Sequence, residues 1–327
     1  MQYTYLGRTG LSVSRLCLGT MNFGPLTDEP TSHAIMDSAH DSGINFFDTA
    51  NVYGRAVSTG LTEEIVGNWF ATGGGRREKT VLATKLYGDL PGEGYEATWP
   101  NSGKLSALNI RRALDKSLQR LQTDYIDLYQ FHHIDRNTPW EEIWQALEVA
   151  VQQGKVLYVG SSNFAGWHIA QAQEAAARRN VVGLVSEQSI YNLLKREVEL
   201  EVIPAAEQYG LGLIPWSPLQ GGLLGGVIKK IEEGNRRNDR SEELERNRDA
   251  IQGFEDLAVE LGHSAAELAL AWLLHQPVVT APIIGPRTPD QLDSALGTVE
   301  IQLDASTLAR LDELFPGHKP APEDYAW

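Results

Sequence analysis

A single cysteine among 327 residues, Cys17, cannot close an internal disulfide, so a reducing compartment is expected. Within Arg15-Leu-Cys-Leu-Gly it reads as a small core side chain rather than a nucleophile. Basic residues are scarce beside acidic ones, 28 against 43, and the formal net charge is −15. That balance argues against a nucleic-acid surface or an anionic membrane as partner, and any phosphate-bearing ligand needs a locally positive pocket. No run approaches the ~18 apolar residues of a membrane helix. The N-terminus lacks the basic segment and apolar stretch of a secretory signal, so a cytoplasmic location is expected. Neither a Cys/His spacing nor a His-Glu-x-x-His pattern is present, so no metal is expected.

What is present is a globular composition, 42% hydrophobic and 22% charged, carrying a repeating pattern. Residues 2–15 form two short alternating segments around Arg8-Thr9-Gly10, which predicts a β-hairpin. Strand-like runs then start near positions 16, 44, 80, 125, 156, 182, 211 and 279. Helix-period segments lie between them at 32–40, 63–70, 107–121, 141–151, 166–178, 198–208 and 264–276. Thr138-Pro-Trp-Glu and Ser264-Ala-Ala-Glu read as capping boxes, the first with proline at the first helical position. Eight strands, each followed by a helix, predict an α/β fold of the (β/α)8 TIM-barrel type, typically ~250 residues plus insertions. An open doubly wound sheet would place a glycine-rich dinucleotide fingerprint after the first strand, and Gly19-Thr-Met-Asn-Phe-Gly is not one.

The surplus length goes to a Gly/Pro-rich loop at 87–104 and to a long loop at 219–248. A C-terminal extra helix at 305–314, capped by Asp304, and a Pro-rich aromatic tail take the rest. No linker divides the chain, so one domain over 1–327 is expected.

Polar residues at the ends of the apolar runs carry the chemistry. Asp48 ends the run Ile44-Asn-Phe-Phe, and Tyr53 follows on a loop before Gly54. Lys85 ends Thr80-Val-Leu-Ala-Thr, His132 follows Tyr125-Ile-Asp-Leu-Tyr-Gln-Phe, and Asn163 follows Val156-Leu-Tyr-Val-Gly. In a barrel all strand C-termini face one mouth, so Asp48, Tyr53, Lys85 and His132 are expected to converge there. A phenol with a reference pKa of ~10 gives up its proton more easily beside an ammonium, and Asp48 would hold that ammonium in place. Such a set suits a reaction that protonates an oxygen while something else attacks the adjacent carbon.

Each residue also has a bland reading: a capping aspartate, a packed loop tyrosine, a solvated lysine, a structural histidine. Four of them at successive strand ends favour the functional one. Ile283-Ile-Gly-Pro-Arg-Thr-Pro-Asp-Gln adds a strand, an arginine and a capping box, and a helix N-terminus preceded by arginine reads as a phosphate site.

Asp48-Thr-Ala-x-x-Tyr-Gly, Lys85, Asp127-Leu-Tyr-Gln-Phe-His132 and Gly160-Ser-Ser-Asn-Phe164 together resemble the signatures of the aldo-keto reductase family. The segment Leu6 to Thr20 and Pro215-Trp-Ser-Pro-Leu resemble its bacterial and potassium-channel β-subunit-like branch. The resemblance implies a barrel that binds NADP(H) without a Rossmann domain. It also implies that Tyr53 is the general acid of carbonyl reduction, with Lys85 and Asp48 tuning it and His132 orienting the carbonyl. Asn163 and Gln188 match the carboxamide-binding positions, Trp216 the aromatic that stacks on the nicotinamide, and Arg287 the 2′-phosphate position, which favours NADPH over NADH. Further cofactor contacts are implied for Thr20, Met21, Asp48, Ser162, Ser217, Leu219, Gly221, Gly285 and Gln291. Two departures stand out. Ala295 occupies the place of an asparagine near the adenine, and the loop Gly221-Gly-Leu-Leu-Gly-Gly lacks the lysine that usually ends it, the first being Lys229.

Two functions from different classes are consistent with these residues. One is an NADPH-dependent oxidoreductase converting an aldehyde or ketone to an alcohol. The other is a nicotinamide-nucleotide-sensing regulatory protein with slow turnover, which need not keep Tyr53 and Lys85 together. The expected partner is a small-molecule carbonyl substrate, bound by loop residues such as Phe23, Tyr87, Trp99, Tyr325 and Trp327, with homo-oligomerisation left open.

Overall fold

The computed structural model describes residues 1–54, 57–88, 100–234 and 241–326. The hairpin forms as β1 (Tyr3–Tyr5) and β2 (Ser12–Ser14), paired antiparallel. Eight parallel strands follow: β3 (Cys17–Gly19), β4 (Phe46–Asp48), β5 (Val81–Leu86), β6 (Ile126–Phe131), β7 (Val156–Ser162), β8 (Leu184–Gln188), β9 (Gly212–Leu213) and β10 (Ile283–Ile284). They form one sheet in the order β10-β3-β4-β5-β6-β7-β8-β9. Its two ends meet. Leu213 N donates to Val278 O at 3.0 Å, Thr280 N to Leu213 O at 2.8 Å, and Ile283 N to Pro215 O at 2.8 Å. The fold is a (β/α)8 barrel. The run near 279 supplies this closing contact, and the eighth strand itself sits four residues later, at β10.

Strand side chains alternate between two environments. Cys17, Phe46, Ala83, Leu128, Val185 and Ile214 form an inner cluster with Leu6 and Val13, so the hairpin plugs one end of the barrel. Their neighbours Leu18, Phe47, Leu82, Tyr129 and Phe131 pack outward under the helices. Each buried Leu or Phe of this kind contributes about 1.5–3 kcal/mol. Two residues further along the inner rows the lining changes character: Phe46 gives way to Asp48, Ala83 to Lys85, and Leu128 to Gln130. The apolar lower layers make the floor on which the polar upper layer stands.

Helices at Ala107–Leu121, Gly166–Arg178 and Ala305–Leu314 match the periodic segments, and Asp304 accepts from Thr307 N at 2.8 Å. Ser264 and Glu267 form the expected reciprocal box. The box at Thr138 does not form. Pro139 is the N-cap, and the Thr138 hydroxyl instead donates to Asp135 Oδ2 at 2.7 Å. The stretch read as a loop at 219–248 contains helices at Val227–Glu232 and Ser241–Arg246, and another follows directly at Arg248–Glu260. Among the described residues no single helix is long and apolar enough to cross a membrane.

Candidate active site

Parallel pairing sets the polar side chains side by side. Gly19 stands opposite Asp48, Lys85 opposite Gln130, and Ser162 opposite Gln188. Gly160, opposite Gln130, has no side chain for a reason: a Cβ there would lie 2.4 Å from Ser186 Oγ and 3.2 Å from Gln130 Cγ. Its hydrogen leaves the space that lets Gln130 reach inward.

Lys85 is fully buried, and its ammonium donates to Asp48 Oδ2 at 2.5 Å, Thr49 O at 2.9 Å and Tyr53 Oη at 3.2 Å. All three donor positions of the ammonium are used. Burial by itself would pull the Lys85 ammonium down. Attraction to Asp48 and Tyr53, with their hydrogen bonds, leaves it above its ordinary value. The other Asp48 oxygen, Oδ1, accepts from Gln188 Nε2 at 2.8 Å and Gln130 Nε2 at 3.1 Å. Asp48 therefore has one oxygen on the lysine and one on two buried amides.

Tyr53 is brought to this pair by a tight turn, Tyr53 N donating to Ala50 O at 3.1 Å. Gly54 then adopts φ +91°, and a Cβ there would sit 2.8 Å from Ser58 O, so the turn requires glycine. Burial pushes the Tyr53 phenol above 10, and Lys85 offsets only part of that rise. The lysine does lower the Tyr53 pKa as expected, but burial outweighs that contribution. The phenol is protonated throughout the neutral range, the form that a proton donor must have.

His132 follows β6, its N–H donating to Leu86 O at 2.9 Å. Its ring meets Tyr53 edge-on, centroids 5.9 Å apart, and stacks on His133 at 5.0 Å. Burial, then the Lys85 charge, then His133, push its pKa down to about 3, so the imidazole is neutral. A neutral ring can donate one hydrogen bond to a substrate oxygen without competing to carry the proton.

The remaining predicted residues fall into groups. Asn163 adopts φ +60° at the end of β7. Its carboxamide accepts from Trp216 Nε1 at 3.1 Å and donates to His132 O at 3.2 Å and Ser162 Oγ at 2.9 Å. Thr20 is buried, with both its N–H and its hydroxyl donating to Asp48 O, whereas Met21 is 60% exposed. Ser217, Gln220, Gly221 and Gly222 have positive φ, a compact turn that begins after Trp216 and carries Leu219. At the eighth strand Asn22 Nδ2 donates to Gly285 O at 3.0 Å, linking the ends of β3 and β10. Arg287 is exposed, and no ion pair among the described residues engages it. The capping box beside it is shifted by one: Gln291 N donates to Thr288 Oγ1 at 3.4 Å, while Gln291 Oε1 accepts from Arg287 N at 2.9 Å. Ala295 is buried on its helix, and Lys229 is exposed.

Among the expected substrate-lining residues, Phe23 is fully buried in the outer core and cannot line the mouth; its carbonyl accepts from Thr62 Oγ1 at 2.9 Å. Tyr87 is half-buried and meets His133 edge-on at 5.3 Å. Tyr325 is 75% exposed on a tail tied to Leu200 O through Ala321 N at 2.8 Å. Trp99 and Trp327 lie outside the described residues.

Gln130 was missed by sequence reasoning, although a polar residue at an inner position of an apolar strand was the available signal. No group of three metal-ligating side chains comes together among the described residues.

The family model described as the Aldo/keto reductase family matches residues 15–315. An uncharacterised oxidoreductase, YrpG, of Bacillus subtilis (strain 168) is 57% identical over 100% of both chains. A versiconal hemiacetal acetate reductase of Aspergillus parasiticus is 35% identical over 96% of both, and a probable voltage-gated potassium channel subunit beta of Oryza sativa subsp. japonica is 36% identical over 92% of both.

Proposed function

The chain belongs to the aldo/keto reductase family, and from that premise we propose that it is an NADPH-dependent reductase of aldehydes or ketones with Tyr53 as its proton donor. The observation that carries this reading is the Tyr53 hydroxyl 3.2 Å from the buried Lys85 ammonium, with the neutral His132 ring edge-on beside it.

The residues present fit a nicotinamide dinucleotide phosphate. Asn163 and Trp216 are joined at 3.1 Å at the barrel mouth, and the positive-φ turn 217–222 permits close backbone approach. The exposed Arg287 guanidinium, engaged by no ion pair among the described residues, stands before the helix Pro289–Leu296, whose N-terminus favours an anion. In a chain of net charge −15 such an arginine is the local positive site that a 2′-phosphate needs. When bound, the cofactor supplies the hydride, and the protein supplies the proton and the geometry.

The carbonyl oxygen of the substrate accepts hydrogen bonds from Tyr53 Oη and from His132. As negative charge develops on that oxygen, Tyr53 transfers its proton. The Lys85 ammonium stabilises the phenolate left behind, and Asp48 balances Lys85. His132 is uncharged at neutral pH, so it orients the oxygen without becoming a second acid.

Mixing the NADPH complex with a panel of aldehydes and ketones in a stopped-flow instrument tests the reading. Carbonyl-dependent oxidation of the cofactor in a single turnover is the expected outcome. The relative named as a channel subunit makes nucleotide sensing the second reading, and cofactor binding without any carbonyl-dependent oxidation would favour it.

A further inference from the structure

Next to Gln188 lies a buried carboxyl group that no cation reaches among the described residues. Glu187 alternates with Gln188 in β8 and so faces the opposite side of the sheet, where it is fully buried. Its Oε1 accepts from Phe164 N at 3.0 Å and from Ser189 Oγ at 2.7 Å, and its Oε2 accepts from Ser161 Oγ. No ion pair among the described residues reaches it, and burial pushes its carboxyl up to about 7 despite these bonds. A buried carboxyl group without a counter-ion is costly, and an apolar side chain would avoid that cost.

Two of the three donors to Glu187, Ser161 and Phe164, bracket one short corner. Ser161 lies on one side of Asn163 and Phe164 on the other, and Ser161 stands opposite Glu187 in the strand register. Between them Asn163 holds φ +60°, a left-handed conformation that asparagine adopts more readily than other non-glycine residues. From that corner its carboxamide reaches Trp216 Nε1 and His132 O.

We propose that Glu187 is a positioning residue for the nicotinamide end of the site: its carboxyl group clamps the corner 161–164 and so sets the Asn163 carboxamide and, through it, the Trp216 indole. This rests on the reading that Asn163 and Trp216 meet the nicotinamide. Glu187 touches neither cofactor nor substrate. It acts through the backbone that it holds.

The test compares two ligands on Glu187→Met and Glu187→Gln by calorimetric titration. NADPH carries the nicotinamide ring, whereas adenosine 2′,5′-bisphosphate carries only the adenine end and its 2′-phosphate. Glu187→Met removes every acceptor at similar size and should weaken NADPH binding roughly tenfold, the effect of one to two lost hydrogen bonds, while the bisphosphate stays within about twofold. Glu187→Gln keeps an oxygen for the Phe164 N–H and should recover NADPH affinity to within about threefold of the wild type.

Unchanged NADPH affinity in Glu187→Met overturns the proposal. So does an equal loss for both ligands, which would make Glu187 a general structural support. If Glu187→Met does not fold, Ser161→Ala and Ser189→Ala each remove one bond to the same carboxyl group. They should shift the ratio of the two affinities in the same direction, and an unshifted ratio in both overturns the proposal. A wild-type protein that fails to bind NADPH would instead defeat the functional reading, so the two failures are distinguishable.

Discussion

Replacing Lys85 by methionine removes the positive charge from the centre of the site at nearly constant volume. The ammonium lies 3.2 Å from Tyr53 Oη. At an effective dielectric of ~20, a full charge at that distance is worth about 5 kcal/mol to a phenolate. Asp48 opposes it, since its carboxylate raises the Tyr53 pKa while Lys85 lowers it. The net effect of an opposite charge at close range is an upward move of roughly 1–3 units when it is lost. Carbonyl reduction needs the protonated phenol, so its rate falls as pH rises through the Tyr53 pKa. In Lys85→Met that basic limb should therefore move upward by roughly 1–3 pH units. The rate itself should drop about 10² to 10⁴-fold, because the phenolate is no longer stabilised as the proton leaves. Asp48, 2% exposed, would keep Gln130 and Gln188 as donors but lose its counter-ion, with a stability loss of about 3–5 kcal/mol. The pH profile of single-turnover reduction, measured alongside denaturant unfolding, separates the two effects. A destabilised variant whose basic limb has not moved, where chemistry limits the rate, would refute the tuning role and leave Lys85 structural.

Tyr53→Phe should reduce carbonyl turnover by about 10² to 10⁴-fold while NADPH binding, followed by fluorescence, stays nearly unchanged, because only the proton donor is lost. Arg287→Ala should weaken NADPH by roughly tenfold to a hundredfold and leave NADH nearly unaffected, and equal losses would remove the phosphate assignment. His132 should titrate near pH 3 rather than 6.5 when its ring carbons are followed by NMR. Its lowered folded pKa costs stability as pH falls below the unfolded value near 6.5, so His132→Gln should lessen acid destabilisation between about pH 6 and pH 3.

Much of the barrel was legible because its signals are local. The strand runs at 80, 125 and 156 are predominantly apolar in their lower layers, Asp127 excepted, and the hairpin forms where its alternating segments predict it. Where a signal depended on a distant partner, reading along the chain failed. Thr138 has the spacing of a capping residue, yet Asp135 takes its hydroxyl. The charged end of the stretch 219–248 read as loop, yet Ser241–Arg246 forms a helix that buries Leu244. Phe23 follows the first strand as a mouth residue should, but tertiary packing puts it in the outer core.

Local pattern along the chain was enough to say which side chains stand at the ends of the strands, because strand length and the two-residue alternation are set by neighbouring residues. It could not determine what those side chains do to one another. Asp48 meets Lys85 across 37 positions through pairing of neighbouring strands and Gln188 across 140 through closure of the sheet, each within 3 Å. Tertiary structure also decided the electrostatics. The Tyr53 phenol rises because burial outweighs the lysine beside it, and the His132 ring is neutral because burial and the same lysine charge act together. Desolvation is a property of everything packed around a group, and no stretch of chain encodes it locally.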